Sequence, residues 1–274
     1  MSITPQTEPL TKIKSRQMIE FLKSGKRLDG RTLTQHRNVK IEAGVIGKAE
    51  GSAQVTLGNT RVLVGVKIET GPPYSDTPNM GVLTVNAELL PLAHEVFEPG
   101  PPDENSIELA RVVDRSIRES KALDLESLVI IPAKLAYVVF VDIYILNHDG
   151  NLFDASEYAA ISALLNAKLP VVKVEGEEVK PTGEFKELPV RECPISVTIA
   201  KVDEALLVDP TLEEEVMASA KITITTTSTG KICAIQKSGG GAFTPQEILE
   251  AQRIARSKAE EIRSLIPGWG GRCG

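Results

Sequence analysis

Three arginines, Arg111, Arg115 and Arg118, recur at steps of four and three residues in a stretch with helical periodicity. Side chains at that spacing lie on one face of an α-helix, about 5–6 Å apart at their Cβ atoms, which is close to the spacing of adjacent phosphates in a single strand. Each guanidinium presents a planar fork of donors that matches phosphate oxygens. This face could therefore bind a chain of phosphates.

The same three arginines have a plainer interpretation, because acidic residues lie three or four positions away from each. The candidate ion pairs are Glu108 with Arg111, Asp114 with Arg118, and Arg115 with Glu119. Such pairs are common on solvated helix faces and contribute little free energy. Spacing alone leaves the anion site and the solvated face both open.

A proline-rich loop predicts where the arginine helix begins. Pro99, Pro101 and Pro102 exclude a helix, and either Asp103 or Asn105 can serve as its N-cap. A stripe at three- and four-residue steps is expected to face the core. Its members are Ile107, Ala110, either Val113 or Asp114, and Ile117.

Strands and helices surround the arginine helix in the first half of the chain. A short amphipathic helix at 13–24 ends at Gly25. The expected strands are residues 53–57, 61–68, 81–90 and 135–146, the first two forming a hairpin through Gly58 and Asn59. The last strand is nearly all apolar, which predicts burial on both faces. An alanine-rich helix is expected at 154–169.

The second half repeats the order of strands followed by a helix. A polar stretch at 176–187 is interpreted as the boundary between the halves. The expected strands are residues 195–200, 205–208, 221–227 and 231–236, with an acidic turn at 213–215. A capping box at Thr244 and Glu247 predicts a helix that reaches about Leu265. The pattern indicates an α+β fold with helices packed on one face of its sheets.

The composition excludes several classes of protein. The 274 residues carry a net charge of −6, so a nucleic-acid site must be a local basic patch. No apolar run is long enough for a membrane helix, and no secretory leader is visible at the N-terminus. The three cysteines are far apart, which indicates neither a disulfide framework nor a metal site. We expect a cytoplasmic protein without metal or cofactor.

Four stretches together resemble the RNase PH family. They are residues 27–31, 51–60, 85–92 and 99–125. The resemblance extends from about residue 27 to residue 266, and residues 97–125 are similar to one branch, the catalytically silent ring subunit of the archaeal exosome. It implies two βαβα-type halves of the ribosomal-protein S5 domain 2-like fold. The expected parts are an N-terminal helix and turn at 1–30, halves at 31–175 and 188–266, and a flexible tail at 267–274.

The resemblance also implies an assembly and an activity. Silent subunits alternate with catalytic RNase PH-like subunits in a hetero-hexameric ring, which degrades single-stranded RNA from its 3′ end with inorganic phosphate. RNA-binding cap subunits are further expected partners. In this branch the arginines that match Arg111 and Arg115 hold RNA phosphates beside the partner's active site. Arg118 is included with them as an RNA-binding candidate, although the family pattern does not support it equally.

Two departures from the family pattern predict a chain without catalytic residues. Active members hold phosphate with a turn after the long central strand, but the matching residues 149–154 carry apolar Leu152 and Phe153 in place of donors. Active members also have two aspartates six residues apart. Asp209 matches the first, whereas Glu215 replaces the second. The alternatives are an active phosphorolytic nuclease that uses these two carboxylates, and a purely architectural protein with solvated arginines.

Overall fold

The computed structural model describes residues 17–175 and 178–270, which form three sheets and a set of helices. The strands are β1 (Val39–Ala43), β2 (Gly51–Leu57), β3 (Thr60–Gly71), β4 (Val82–Leu89), β5 (Val129–Ile131), β6 (Leu135–Asn147), β7 (Lys168–Glu175), β8 (Glu178–Glu187), β9 (Ile195–Val202), β10 (Ala205–Val208), β11 (Ala220–Thr226) and β12 (Ile232–Ser238). The helices are α1, helical at 17–23 in the described part, α2 (Glu104–Glu119), α3 (Leu152–Asn166), α4 (Leu212–Met217) and α5 (Pro245–Arg263).

The first sheet has the strand order β1-β2-β3-β6-β4, with β5 added to β6. Its neighbours are antiparallel except β4 and β6, which are parallel. Parallel neighbours need a crossover connection, and α2 lies within this one. The predicted hairpin is confirmed, because β2 and β3 pair from Gly51–Val66 to Leu57–Thr60 on either side of the Gly58–Asn59 turn.

The elements stack in four layers. Helices α2 and α3 pack together on one face of the first sheet, and the second sheet, ordered β10-β9-β11-β12, lies against their other side. Helix α5 covers the outer face of that sheet by packing on β9 and β11. The predicted α+β fold is confirmed. The expectation of helices on only one face of each sheet is wrong for the second sheet, which lies between helices on both sides. Strand β9 is accordingly buried along nearly its whole length.

Helix α2 begins at its predicted cap. The Asp103 side chain accepts a hydrogen bond from the Ser106 backbone N–H at 2.8 Å. The prediction of the apolar stripe is wrong at its first member, because Ile107 is 48% exposed. It also omitted Leu109 and Val112, which are buried. The two packed layers on either side of α2 bury a wider arc of the helix than a single sheet would.

Helix α3 ends earlier than its composition predicts. The expectation of helix as far as Leu169 is wrong, because Ala167 is already extended and β7 starts at Lys168. Pro170 disfavours helical geometry at the preceding residue. The helix itself is buried almost all round between the two sheets.

Strand β6 differs from its prediction of burial on both faces. Val139, Val141 and Ile143 face the core at 1% exposure or less. The alternate residues are only partly buried, and Tyr144 is 36% exposed. Helices cover one face of this sheet, so the continuous apolar run overstates the burial of the other.

Two polar stretches are more regular than expected. In the stretch interpreted as the boundary between the halves, Glu178–Glu187 forms β8 and pairs with β7. The prediction of an acidic turn at 213–215 is wrong, because these residues lie in α4. Thr211 caps this helix by accepting from the Glu214 backbone N–H in a capping box.

The ends of the described chain are fixed by packing and caps. Gly25 has a φ of 74° after α1, as expected of a glycine that follows a helix, while residues 13–16 of the predicted helix lie outside the described residues. The capping box of α5 at Thr244 and Glu247 is confirmed. The prediction of a flexible tail at 267–274 is wrong at Trp269, which is 6% exposed and belongs to the core cluster. Residues 271–274 of that tail lie outside the described part. Of the helices described, none is both long and apolar enough to span a bilayer.

Candidate nucleic-acid interface

An open groove of about 400 Å³ runs between α2 and the edge strand β12, and we call it the arginine groove. Its lining consists of Glu104, Ile107, Glu108, Arg111, Val112, Arg115 and Gln236. All but the last of these come from α2, where residues three and four apart share a face. The helix thus supplies one wall with two guanidiniums, and β12 supplies the opposite wall.

Arg111 and Arg115 are both exposed and unengaged in this groove. Within residues 17–175 and 178–270, neither guanidinium makes a hydrogen bond or an ion pair. The candidate pairs with Glu108 and Glu119 are therefore not formed. Two unpaired guanidiniums one helical turn apart can each donate a fork of hydrogen bonds to a phosphate.

Glu108 is kept from Arg111 by contacts with the second sheet. Its Oε1 accepts from Gln236 Nε2 at 2.9 Å and from Ser238 Oγ at 2.8 Å. Both donors lie on β12 two residues apart, so they point to the same face of the strand. These bonds tie α2 to the edge of the second sheet beside the arginine groove.

Arg118 does not join the other two arginines. Its guanidinium donates to both carboxylate oxygens of Asp114, at 2.7 and 3.0 Å, and to the Leu83 carbonyl of β4 at 3.2 Å. The hydrogen bonds that Arg118 donates to Asp114 hold the pKa of Arg118 above its ordinary value. The structure brings Arg111 and Arg115 together in the groove and directs Arg118 to the first sheet.

Asp209 is a buried hub of ion pairs rather than an accessible carboxylate. It is 0% exposed and accepts from Arg37 at the backbone N (2.8 Å), Nε (2.9 Å) and Nη2 (2.7 Å). Arg31 Nη1 and Asn151 Nδ2 donate to it at 3.1 and 2.8 Å. Burial raises the pKa of Asp209, but the hydrogen bonds and charge of Arg37 outweigh it and leave the pKa below its ordinary value. Each carboxylate oxygen already has donors.

A second buried ion pair, next to Asp209, joins the N-terminal part of the chain to α4. The buried Arg27 guanidinium pairs with Glu214 and donates to the carbonyls of Val208, at 2.6 Å, and Asp209, at 2.9 Å. The 27–31 turn thereby packs on the start of α4. Residues 27–37, which precede the first sheet in sequence, are thus anchored to the second half.

The side chain of Glu215, on α4, lies at the N-terminus of α3. Its Oε1 accepts from the backbone N–H of Asn151, the N-cap residue, at 3.2 Å and from Lys221 Nζ at 2.9 Å. A helix N-terminus favours an anion, and here the protein's own carboxylate takes that place. Gly150 permits the close approach, because a Cβ there would lie 2.5 Å from the backbone of Leu212.

The two apolar residues of the 149–154 stretch are partly buried. Leu152 and Phe153 pack against the core cluster, and Lys221 Nζ lies 5.8 Å from the Phe153 ring centroid. Neither side chain offers a hydrogen-bond donor. The turn that resembles a phosphate-holding element therefore presents apolar side chains and an occupied helix terminus.

Two buried carboxyl groups lie on α3. Burial raises the pKa of Asp154 to about 7, against hydrogen bonds from Thr198 and Asn151, and burial raises the pKa of Glu157 to about 8. Across the described residues, no group of three or more His, Cys, Asp or Glu side chains is arranged to hold a metal ion.

Sequence reasoning missed the residues that come from distant parts of the chain. Gln236 and Ser238 reach Glu108 across about 130 positions, and no local pattern indicates that β12 lies beside α2. Arg37 and Arg31 were likewise not connected with Asp209. The spacing of arginines through residues 27–37 was the available signal for a buried anionic partner, but it does not identify that partner.

Comparison with known proteins extends over almost the whole chain. The 3′ exoribonuclease family matches as domain 1 over residues 35–170 and as domain 2 over residues 192–258. The chain is 57% identical to the exosome complex component Rrp42 of Pyrococcus abyssi over 251 residues, which cover 91% of this chain and 92% of that protein. It is 48% identical to the component of the same name from Sulfurisphaera tokodaii over 265 residues, 96% of each chain.

Solved structures give the same relationship. A chain of the Archaeoglobus fulgidus exosome with RNA bound to the active site superposes with a TM-score of 0.87 at 49% identity, covering 93% of this chain and 98% of that one. Rice Rrp46 superposes with a TM-score of 0.68 at 15% identity, covering 88% and 98%, which supports the fold alone.

Proposed function

Because the chain belongs to the 3′ exoribonuclease (RNase PH) family, we propose that it is a non-catalytic, RNA-binding subunit of an archaeal exosome ring. In that role it supports the 3′-to-5′ phosphorolytic degradation of RNA by a catalytic RNase PH-like partner, with which it alternates in a hetero-hexamer. Single-stranded RNA and the RNA-binding cap subunits of the complex are its further partners. Among the described residues Cys193 and Cys233 form no disulfide, which agrees with a cytoplasmic location.

The observation that carries the proposal is the pair of unengaged guanidiniums in the arginine groove. Arg111 and Arg115 line an open groove of about 400 Å³, on a chain whose net charge is negative. Phosphate contacts supply most of the free energy of sequence-independent RNA binding. A similar solved complex contains RNA, which agrees with this assignment. We restrict the pair to these two residues, because Arg118 is engaged with Asp114 and Leu83.

Two features of this chain support the proposal that it has no catalytic activity. Asp209 is saturated by Arg31, Arg37 and Asn151, so it has no free oxygen for a reacting group. Glu215 occupies the α3 terminus where an attacking phosphate would have to bind, and its charge repels that anion. The alternative, an active phosphorolytic nuclease, requires both carboxylates to be released. The architectural alternative requires Arg111 and Arg115 to have no ligand.

A phosphorolysis assay tests the proposal. The purified chain, given RNA, inorganic phosphate and Mg²⁺, is expected to release no nucleoside diphosphate, and mixing it with a catalytic family member is expected to produce turnover that exceeds the partner's own. Phosphate-dependent activity of the chain alone, abolished by Glu215→Gln, would establish the active nuclease instead. Turnover of the mixture that equals the partner's own would refute a supporting role.

A further inference from the structure

The contact between Glu108 and β12 has a consequence for the arginine pair. Glu108 stands one helical turn before Arg111, at the i,i+3 spacing at which Glu and Arg side chains form ion pairs. Among the described residues, Glu108 and Arg111 do not form this ion pair, because the Glu108 carboxylate accepts hydrogen bonds from Gln236 and Ser238 instead. An ion pair with Glu108 would compete with any phosphate for the Arg111 guanidinium.

The donors that hold Glu108 come from the opposite wall of the same groove. Gln236 lines the arginine groove, so its bond to Glu108 crosses the gap between the walls. Strand β12 is the edge of the second sheet, and α2 belongs to the crossover of the first. The two hydrogen bonds to Glu108 are the side-chain bonds that join α2 to β12 in the described chain. They fix the spacing of the walls and the direction of the carboxylate at once.

We propose that Glu108 is a positioning residue for RNA binding, whose carboxylate is held away from Arg111 by Gln236 and Ser238 so that the guanidinium stays available to phosphate. The inference rests on the proposed RNA-binding function and concerns the same groove. Glu108 does not contact RNA in this account. Its carboxylate is occupied by hydrogen bonds from Gln236 and Ser238, and this leaves Arg111 available to phosphate. Strand β12 therefore affects RNA binding indirectly, by holding Glu108.

A charge-rescue experiment separates this role from a merely structural one. The ring is assembled from a catalytic partner and this chain, and its affinity for a fluorescently labelled single-stranded oligoadenylate is measured. Gln236→Ala with Ser238→Ala releases Glu108, and affinity is expected to fall roughly three- to tenfold, as when one charge-assisted contact is weakened. Adding Glu108→Gln to this double variant removes the competing charge, and affinity is expected to return to within about twofold of the original ring.

Thermal stability distinguishes the two roles, because the triple variant lacks the bridge to β12 just as the double variant does. We expect the two to melt alike while their RNA affinities differ. Glu126→Gln in the double variant is the matched control. Glu126 is exposed and does not line the arginine groove, so its substitution removes an equal charge without acting on Arg111 or Arg115, and the loss of RNA affinity is expected to remain.

Each outcome has a distinct meaning. Undiminished affinity in the double variant, or a triple variant as weak as the double, would overturn the positioning role. Arg111→Ala and Arg115→Ala in the otherwise unchanged ring report on the proposed function separately. If they weaken binding while the rescue fails, only the inference about Glu108 is lost. If they have no effect on binding, the RNA-binding function itself fails.

Discussion

At the scale of single residues, the same side-chain types serve opposite purposes according to burial. Arg37 and Arg31 are buried against Asp209 and hold the fold together, whereas Arg111 and Arg115 are exposed and unengaged. A buried guanidinium needs its carboxylate, since losing one partner leaves an uncompensated charge. An exposed guanidinium loses little by exchanging water for phosphate.

Asp209→Asn is expected to destabilise the chain by about 3–5 kcal/mol, because it removes the charge that compensates two buried guanidiniums. Urea unfolding measures the loss. Asp203→Asn is the matched control, since Asp203 is an exposed turn residue with a φ of 54°, close to the 51° of Asp209. The control is expected to change the free energy of unfolding by less than about 0.5 kcal/mol. Equal stability of both variants would indicate that Asp209 is not a structural hub.

Glu157→Gln is expected to change how stability depends on pH. Burial raises the pKa of Glu157 to about 8, so the folded state keeps a proton that the unfolded chain releases near pH 4. Stability therefore falls as pH rises through this window, by up to about 1.4 kcal/mol per pH unit for one group. The variant lacks this titration, and its advantage over the original chain should grow from pH 5 to pH 8.

Urea unfolding at several pH values tests the role of Glu157. Glu69→Gln, at an exposed position of β3, supplies the control and should shift stability equally at every pH. A difference between Glu157→Gln and the original chain that stays constant from pH 5 to pH 8 would contradict a raised pKa.

At the scale of elements, periodicity predicts what is local and misses what depends on neighbours. The β2–β3 hairpin and the α5 capping box are set by residues adjacent in sequence, and both were predicted correctly. The exposed face of β6 and the position of Ile107 depend on which layers cover them. Glu178–Glu187 was interpreted only as part of a boundary between the halves, because its polar composition does not indicate the strand that pairs with β7.

The sequence likewise predicted only the local part of the candidate site. The spacing of Arg111 and Arg115 on α2 follows from the sequence, but the wall that Gln236 contributes does not. The three arginines lie on α2 at the predicted spacing, but the Arg118 guanidinium donates to Asp114 and Leu83 and does not line the arginine groove. Asp114 lies one turn before Arg118 and Leu83 of β4 lies beside it, and these two redirect its guanidinium.

Arg118→Ala is expected to separate packing from RNA binding on one helix. It removes the ion pair with Asp114 and the bond to β4, so stability should fall by up to about 1 kcal/mol, the upper range for a partly exposed pair. RNA affinity of the assembled ring should stay within about twofold. Arg111→Ala should do the reverse, with unchanged stability and weaker binding. A loss of affinity in Arg118→Ala as large as that in Arg111→Ala would return Arg118 to the RNA-binding set.

At the scale of the whole molecule, an acidic chain carries a groove in which two guanidiniums have no acidic partner among the described residues. The net charge of −6 disfavours RNA over most of the surface, so we expect the proposed RNA contact only where guanidiniums lack acidic partners. Four layers make that possible, because the second sheet brings β12 beside α2 and engages Glu108. Both halves of the fold contribute to the arginine groove, although only α2 provides its charge.

A salt titration of RNA binding tests the central claim most directly. Rings assembled with the original chain, Arg111→Ala or Arg115→Ala are compared for affinity to single-stranded RNA at increasing salt. Each variant should bind more weakly, and its plot of log K against log salt should flatten by roughly 0.7, the value for one phosphate contact on a single strand. The loss should be similar for RNAs of different sequence, since phosphates carry no base information. Unchanged affinity and an unchanged slope in both variants would contradict the claim that these two arginines hold RNA phosphates.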